Sequence, residues 1–281
     1  MKNKGTKWRL LGGVLLLVSL FALNRSHLQK KPASSVFSWF ASELLHPDRT
    51  FKQLDEWDIQ TIYQFIPYQA NDDEVIHHFL QTAEHYKKEV YFLTGEPEWA
   101  LDPEATELIA YIERVQTFQY ENGPLQGVVI DVEPQSLAEF QENPSRVLET
   151  FVKGMTNAYQ VAKQAGLTVI LCLPNSYDTL GFEYELEQLI SEATDQVAIM
   201  NYHRGQEIVR IETEAKLSLR HNKPLINIYE MQAAGQFGLH EANTYDGHGF
   251  KAVIDNFKQL ERAYPKHNLS LSFHEFRSLK E

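Results

Sequence analysis

The chain has one cysteine, Cys172, in 281 residues. No internal disulfide can form, and a cysteine-based metal site is not credible. Neither GxGxxG nor GxxxxGKS/T occurs, which removes the usual dinucleotide and phosphate-loop motifs. No GxSxG is present, so a hydrolase of the nucleophile-elbow type has no support. Histidines paired at metal-ligand spacing beside acids are missing too: His77 and His78 fall within a helical pattern, while His203, His240, His248 and His274 are scattered near strand ends. No metal or other cofactor is therefore expected.

Acidic residues are absent before Glu43, whereas Lys2, Lys4, Lys7 and Arg9 precede an apolar run from Leu10 to Leu23. A cationic segment followed by an apolar one reads as an export signal. No clean small-x-small cleavage site follows, so an uncleaved anchor is favoured over a removed signal peptide with a secreted product; the basic end is expected in the cytoplasm and the rest outside. The expected organisation is an anchor over residues 1–26, a polar linker over 27–34 and one domain over 35–281. Beyond residue 26 the chain holds 21 Lys and Arg against 38 Asp and Glu, a net charge of −17. That balance argues against nucleic acid as a partner and suits a neutral or cationic ligand.

What is present is an alternation. Apolar and β-branched runs at Ser35–Ala41, Ile59–Pro67, Val90–Thr94, Gly127–Glu133, Leu167–Pro174, Gln196–Tyr202, Pro224–Met231 and Leu269–Phe276 are separated by helical patterns. Eight strand–helix units in about 245 residues predict a closed (β/α)₈ TIM barrel rather than an open sheet, with the site on the loops after the strands. Cys172 lies within the fifth run, as a small core residue. Asn143–Pro144 marks a helix start and Gly166 a helix stop.

The fourth run carries the chemistry. In Gly127-Val128-Val129-Ile130-Asp131-Val132-Glu133-Pro134, Val129, Asp131 and Glu133 share one face, and Val128, Ile130 and Val132 share the other. The all-apolar face suits the helix layer, so both acids are expected to point into the barrel near its C-terminal mouth. Two crowded carboxyls there must be hydrogen-bonded, or one must hold its proton. A carboxyl kept protonated near neutral pH is what acid catalysis uses.

Gly127-x-x-x-Asp131-x-Glu133 resembles the second half of the DGxDxDxE signature of family-18 glycoside hydrolases. Ala198-Ile199-Met200-Asn201-Tyr202 on the sixth run resembles that family's MxY(D) motif. The resemblance implies a glycosidase of N-acetylated glycans, chitin-like or from cell walls. Glu133 would be the general acid. Asp131 and Tyr202 would hold the 2-acetamido group that acts as nucleophile, a departure from the two-carboxylate scheme of most retaining glycosidases. Three positions differ: Gln126 and Val129 replace acids of the signature, and His203 stands where the sixth-strand motif ends in Asp. A glycan-binding barrel without activity is the alternative these losses leave open. Trp39, Trp99 and Tyr177 are candidates for stacking on sugars, with Asn201 and His203 as further contacts and Gln64, Tyr63 and Tyr68 as weaker ones.

A rival scheme pairs Glu133 with a nucleophilic Glu230 on the seventh run, as in clan A glycosidases. Alternation groups the polar Asn227 and Tyr229, which leaves Glu230 with Ile226 and Ile228. On that pattern Glu230 is expected to face away from the lumen.

Overall fold

A computed structural model describes residues 33–67 and 72–279. The basic segment, the apolar run through Leu23 and Tyr68 lie outside the described residues. Among the described residues no helix is long and apolar enough to cross a membrane.

The eight strands are β1 (Ser34–Ser38), β2 (Thr61–Phe65), β3 (Glu89–Thr94), β4 (Leu125–Ile130), β5 (Thr168–Pro174), β6 (Gln196–Met200), β7 (Leu225–Glu230) and β8 (Leu269–His274). Each pairs in parallel with the next, and β8 pairs with β1 to close the barrel. The helices are α1 (Pro47–Trp57), α2 (Asp73–His85), α3 (Thr106–Gln116), α4 (Ala138–Glu142), α5 (Pro144–Gln164), α6 (Glu183–Glu192), α7 (Glu207–Arg210), α8 (Glu212–Arg220) and α9 (Gly249–Ala263). This is the (β/α)₈ fold expected from the alternation. Helix ends follow the local chemistry: Asn143 Oδ1 accepts the Arg146 amide at 3.2 Å before α5, and Gly166 takes φ +75° where that helix must stop.

Two apolar layers hold the barrel. Inside the lumen, Phe37, Tyr63, Tyr91, Leu93, Val129, Ile170, Cys172, Ala198, Ile226 and Ile228 pack together. Outside it, the alternate strand residues, Val128, Ile130 and Val132 among them, pack against buried helix faces such as Phe51, Phe79, Phe151 and Phe257. Strands of a parallel barrel are buried on both faces, and this defeats polarity as a guide to direction on β7. There Ile226 and Ile228 fill the lumen, and Asn227 and Tyr229 face the helices, where each finds a side-chain partner. Asn227 Oδ1 accepts from Asn201 Nδ2 at 2.8 Å, and the Tyr229 hydroxyl donates to Asn256 Oδ1 at 2.8 Å. Glu230 therefore faces the lumen, contrary to the sequence expectation.

The helical pattern between the sixth and seventh runs breaks at Ile211 into α7 and α8. The Glu207 side chain is drawn inward, where it accepts from the Tyr245 hydroxyl and, at 2.9 Å, from Asn256 Nδ2. Those bonds tie the start of α7 to the long loop between β7 and α9, through Tyr245, and to α9 itself, through Asn256.

Candidate active site

Strand β4 ends at Ile130, three residues short of the run read from the sequence. The Asp131 amide still donates to Thr94 O at 2.8 Å, which carries the ladder one residue further. Pro134 has no amide hydrogen to continue it, and the chain turns into a short 3₁₀ segment, Pro134–Ser136. Alternation persists through this stretch, so Asp131 and Glu133 follow Val129 toward the lumen and open on a cavity of about 640 Å³. The same cavity is lined by Trp39, Gln135, Tyr202, His203, Glu230 and His274.

Burial, followed by the charge of Glu133, pushes the Asp131 carboxyl up to about 7. Its Oδ1 is enclosed without a hydrogen-bond partner. Burial also raises Glu133, against the opposing influence of His274 and Gln135. Gln135 Nε2 donates to Glu133 Oε2 at 3.0 Å, and the Tyr177 hydroxyl holds that amide by donating to Gln135 Oε1 at 3.2 Å. The Tyr202 phenol is held well above its usual range by burial and then by the charge of Glu230. Burial, then Arg210, lowers the His203 imidazole, whose Nδ1 is enclosed without a partner. The site thus holds two carboxyls that keep protons unusually well, next to a phenol that stays neutral.

Other sequence candidates lie elsewhere. Trp99 is buried in the outer core, with its indole nitrogen donating to Glu107 Oε2 at 2.7 Å. Tyr177 is fully buried and reaches the site through Gln135. Asn201 turns outward just beyond β6 and is spent on Asn227 Oδ1, Glu207 O and the Asn175 amide. None of these three lines the cavity, and neither do Gln64 or Tyr63. Conversely, sequence reading missed Gln135, Gln232, Phe237 and Glu275 as cavity residues. Phe237 lies in the Gly- and His-rich loop after β7 and is 83 % exposed. Its Gly and His content is a signal in the sequence that does not single out the ring. Among the described residues, no group of three or more His, Cys, Asp or Glu side chains is placed to hold a metal ion.

Gly95 fixes the position of Asp131. A Cβ on Gly95 would lie 2.0 Å from the Asp131 carbonyl oxygen, a backbone atom with nowhere to yield. Gly95→Ala is expected to destabilise the fold by about 1–3 kcal/mol or more and to displace Asp131. Chemical denaturation and a structure of the variant check this; an unchanged midpoint would show that the close approach is dispensable.

No family model matches the sequence, and no curated protein matches it. Solved structures do. A putative alpha-L-fucosidase from Bacteroides thetaiotaomicron superposes with a TM-score of 0.56 at 12 % identity, over 88 % of this chain and 86 % of that one. A GH18 chitinase from Cycas revoluta, in complex with (GlcNAc)3, gives 0.52 at 14 %, over 86 % and 94 %. A xylose isomerase domain containing protein from Salmonella typhimurium gives 0.52 at 10 %, over 88 % and 89 %. At such identities the likeness establishes the TIM-barrel fold, which hosts many chemistries.

Proposed function

We propose that this barrel is a glycoside hydrolase of N-acetylated glycans, acting outside the cytoplasm by substrate-assisted retaining hydrolysis. The observation that carries the reading is the opening of Asp131, Glu133 and Tyr202 on one cavity, with the Asp131 carboxyl near 7. Glu133 donates its proton to the glycosidic oxygen. Asp131 and Tyr202 hold the acetamido group while its oxygen attacks the anomeric carbon. Trp39, exposed in part at the mouth beside Phe65, offers a ring face to the sugar. Several solved barrels of this shape are named as glycosidases, the chitinase holding a GlcNAc trimer among them.

The test is turnover and equilibrium binding of matched glycans with and without the N-acetyl group. Hydrolysis confined to acetylated substrates is expected. Binding without turnover would make the barrel a glycan-binding module instead. Turnover of substrates lacking the acetamido group would favour the clan A scheme, to which the inward-facing Glu230 lends a specific observation.

The extracytoplasmic part of the proposal rests on the basic segment and apolar run before residue 26. Fractionated cells are expected to hold the protein in the membrane, with the barrel digested by protease added to spheroplasts. A protease-sheltered soluble protein would defeat it.

A further inference from the structure

Glu230 and His274 are partners in register across β7 and β8, and both turn toward the cavity. His274 Nδ1 lies 2.8 Å from Glu230 Oε2, and the Gln232 amide donates to Glu230 Oε1 at 2.7 Å. Glu230 is 2 % exposed, so both of its oxygens are committed in a closed setting. Each of its oxygens accepts a hydrogen bond, which fixes the carboxylate in place. A carboxylate only accepts, so Nδ1 carries the proton of that bond and Nε2 is left for the cavity. Nε2 makes no hydrogen bond to any described residue. The ring is fixed between Phe37 and Tyr202, at centroid distances of 5.7 and 6.0 Å.

We infer that Glu230 is a positioning residue that holds His274 as an imidazolium, its Nε2–H directed into the cavity, and that this cation offsets the charge of the Asp131–Glu133 pair. The inference deepens the glycosidase reading and rests on it for its catalytic meaning. No Lys or Arg lines the cavity among the described residues. The titratable groups around the ring are Glu230 from β7, Asp131 and Glu133 beyond β4, Tyr202 beyond β6, Cys172 on β5 beside Asp131, and Glu275 next along the chain. Burial works against the charged imidazole, but the hydrogen bond and charge of Glu230, with Asp131 and Glu275, outweigh it and leave His274 raised. In return His274 pulls both Asp131 and Glu133 downward. When Glu133 gives its proton to the glycosidic oxygen, the C–O bond breaks and its electron pair leaves with that oxygen. The new Glu133 carboxylate is then buried beside a fixed cation, which costs no reorganisation at that moment.

The experiment is a pH titration, by nuclear magnetic resonance on labelled full-length protein, of the His274 ring and the carboxyls of Asp131 and Glu133. In wild type, His274 should titrate above its usual value with Nδ1 protonated. Glu230→Gln should lower its proton affinity about tenfold or more, and Glu230→Asp should largely preserve it, which also guards against a folding artefact. His274→Gln should raise both carboxyl midpoints and, where turnover is measured, lower kcat roughly 10- to 100-fold with little change in KM. An imidazole whose titration ignores Glu230→Gln overturns the inference. So does restoration of Glu230→Ala turnover by formate, which would make Glu230 the nucleophile. A wild type that hydrolyses nothing defeats the glycosidase reading alone, because the titration arms need no turnover and still decide the charge couple.

Discussion

Replacing Glu133 by Gln is expected to lower turnover of N-acetylated oligosaccharides by about 10²–10⁴-fold while glycan affinity stays nearly unchanged. The amide keeps the volume of the acid and can still meet Gln135, which donates to Glu133 Oε2 at 3.0 Å. It cannot release a proton to the leaving oxygen. General acid catalysis acts on the transition state, whereas the walls of the cavity bind the ground state, so kcat should fall and the dissociation constant should hold. Asp131→Asn should be comparably damaging, since it removes the carboxyl that would orient the acetamido group. Burial and the charge of Glu133 set that carboxyl near 7, so its titration should appear in the wild-type pH–rate profile and vanish in the variant. Steady-state kinetics beside calorimetric binding checks both. Equal losses of affinity and turnover in Glu133→Gln would mean that the carboxyl serves binding rather than proton transfer.

The second large effect is on stability and lies away from the cavity. Glu214, in the first turn of α8, is fully buried, and neither oxygen meets a partner beyond the residue's own backbone amide. Burial, with a smaller contribution from Asp178, pushes its carboxyl up to about 8 from 4.5. The folded protein therefore holds this proton where the unfolded chain releases it. Below about pH 4.5 both states are protonated, and the residue favours neither by charge. As pH rises toward 8 the unfolded state ionises first, and stability falls by about 1.4 kcal/mol per unit. The accumulated loss at pH 8 is on the order of 4–5 kcal/mol. Glu214→Gln removes the titration, and Glu214→Met also removes the unpartnered polar atoms. Glu214→Gln should match wild type near pH 4.5, Glu214→Met should already exceed it there, and both should exceed it by several kcal/mol at pH 8, read from urea midpoints. Parallel stability curves for wild type and variants would show that the carboxyl is solvated or paired in solution.

The strand–helix units were legible because their cause is local. Helix α1, Pro47–Trp57, begins on proline at its first position. The inward direction of Asp131 and Glu133 was legible for a related reason. Val128, Ile130 and Val132 form an unbroken apolar face that packs on the helix layer, and the two carboxyls on the alternate face open on the cavity. On β7 the same logic failed, because a barrel strand is buried on both sides and each polar residue can be satisfied on either. Which side held the partners of Asn227 and Tyr229 depended on Asn201 and Asn256, 26 and 27 residues away.

The sequence by itself determined the alternation of elements, the placing of two carboxyls on one face beyond β4, and the helix stop at Gly166, since these follow from φ/ψ limits and a two-residue or 3.6-residue period. Only the tertiary structure decided which aromatics reach the cavity. Trp39 does, while Trp99 is held by Glu107 and Tyr177 by Gln135. It alone joined Glu230 to His274, which stand 44 residues apart and meet only because the closing register of β7 and β8 sets them side by side. Hydrogen-bond partnership and burial are properties of neighbours in space, and no spacing along the chain encodes them.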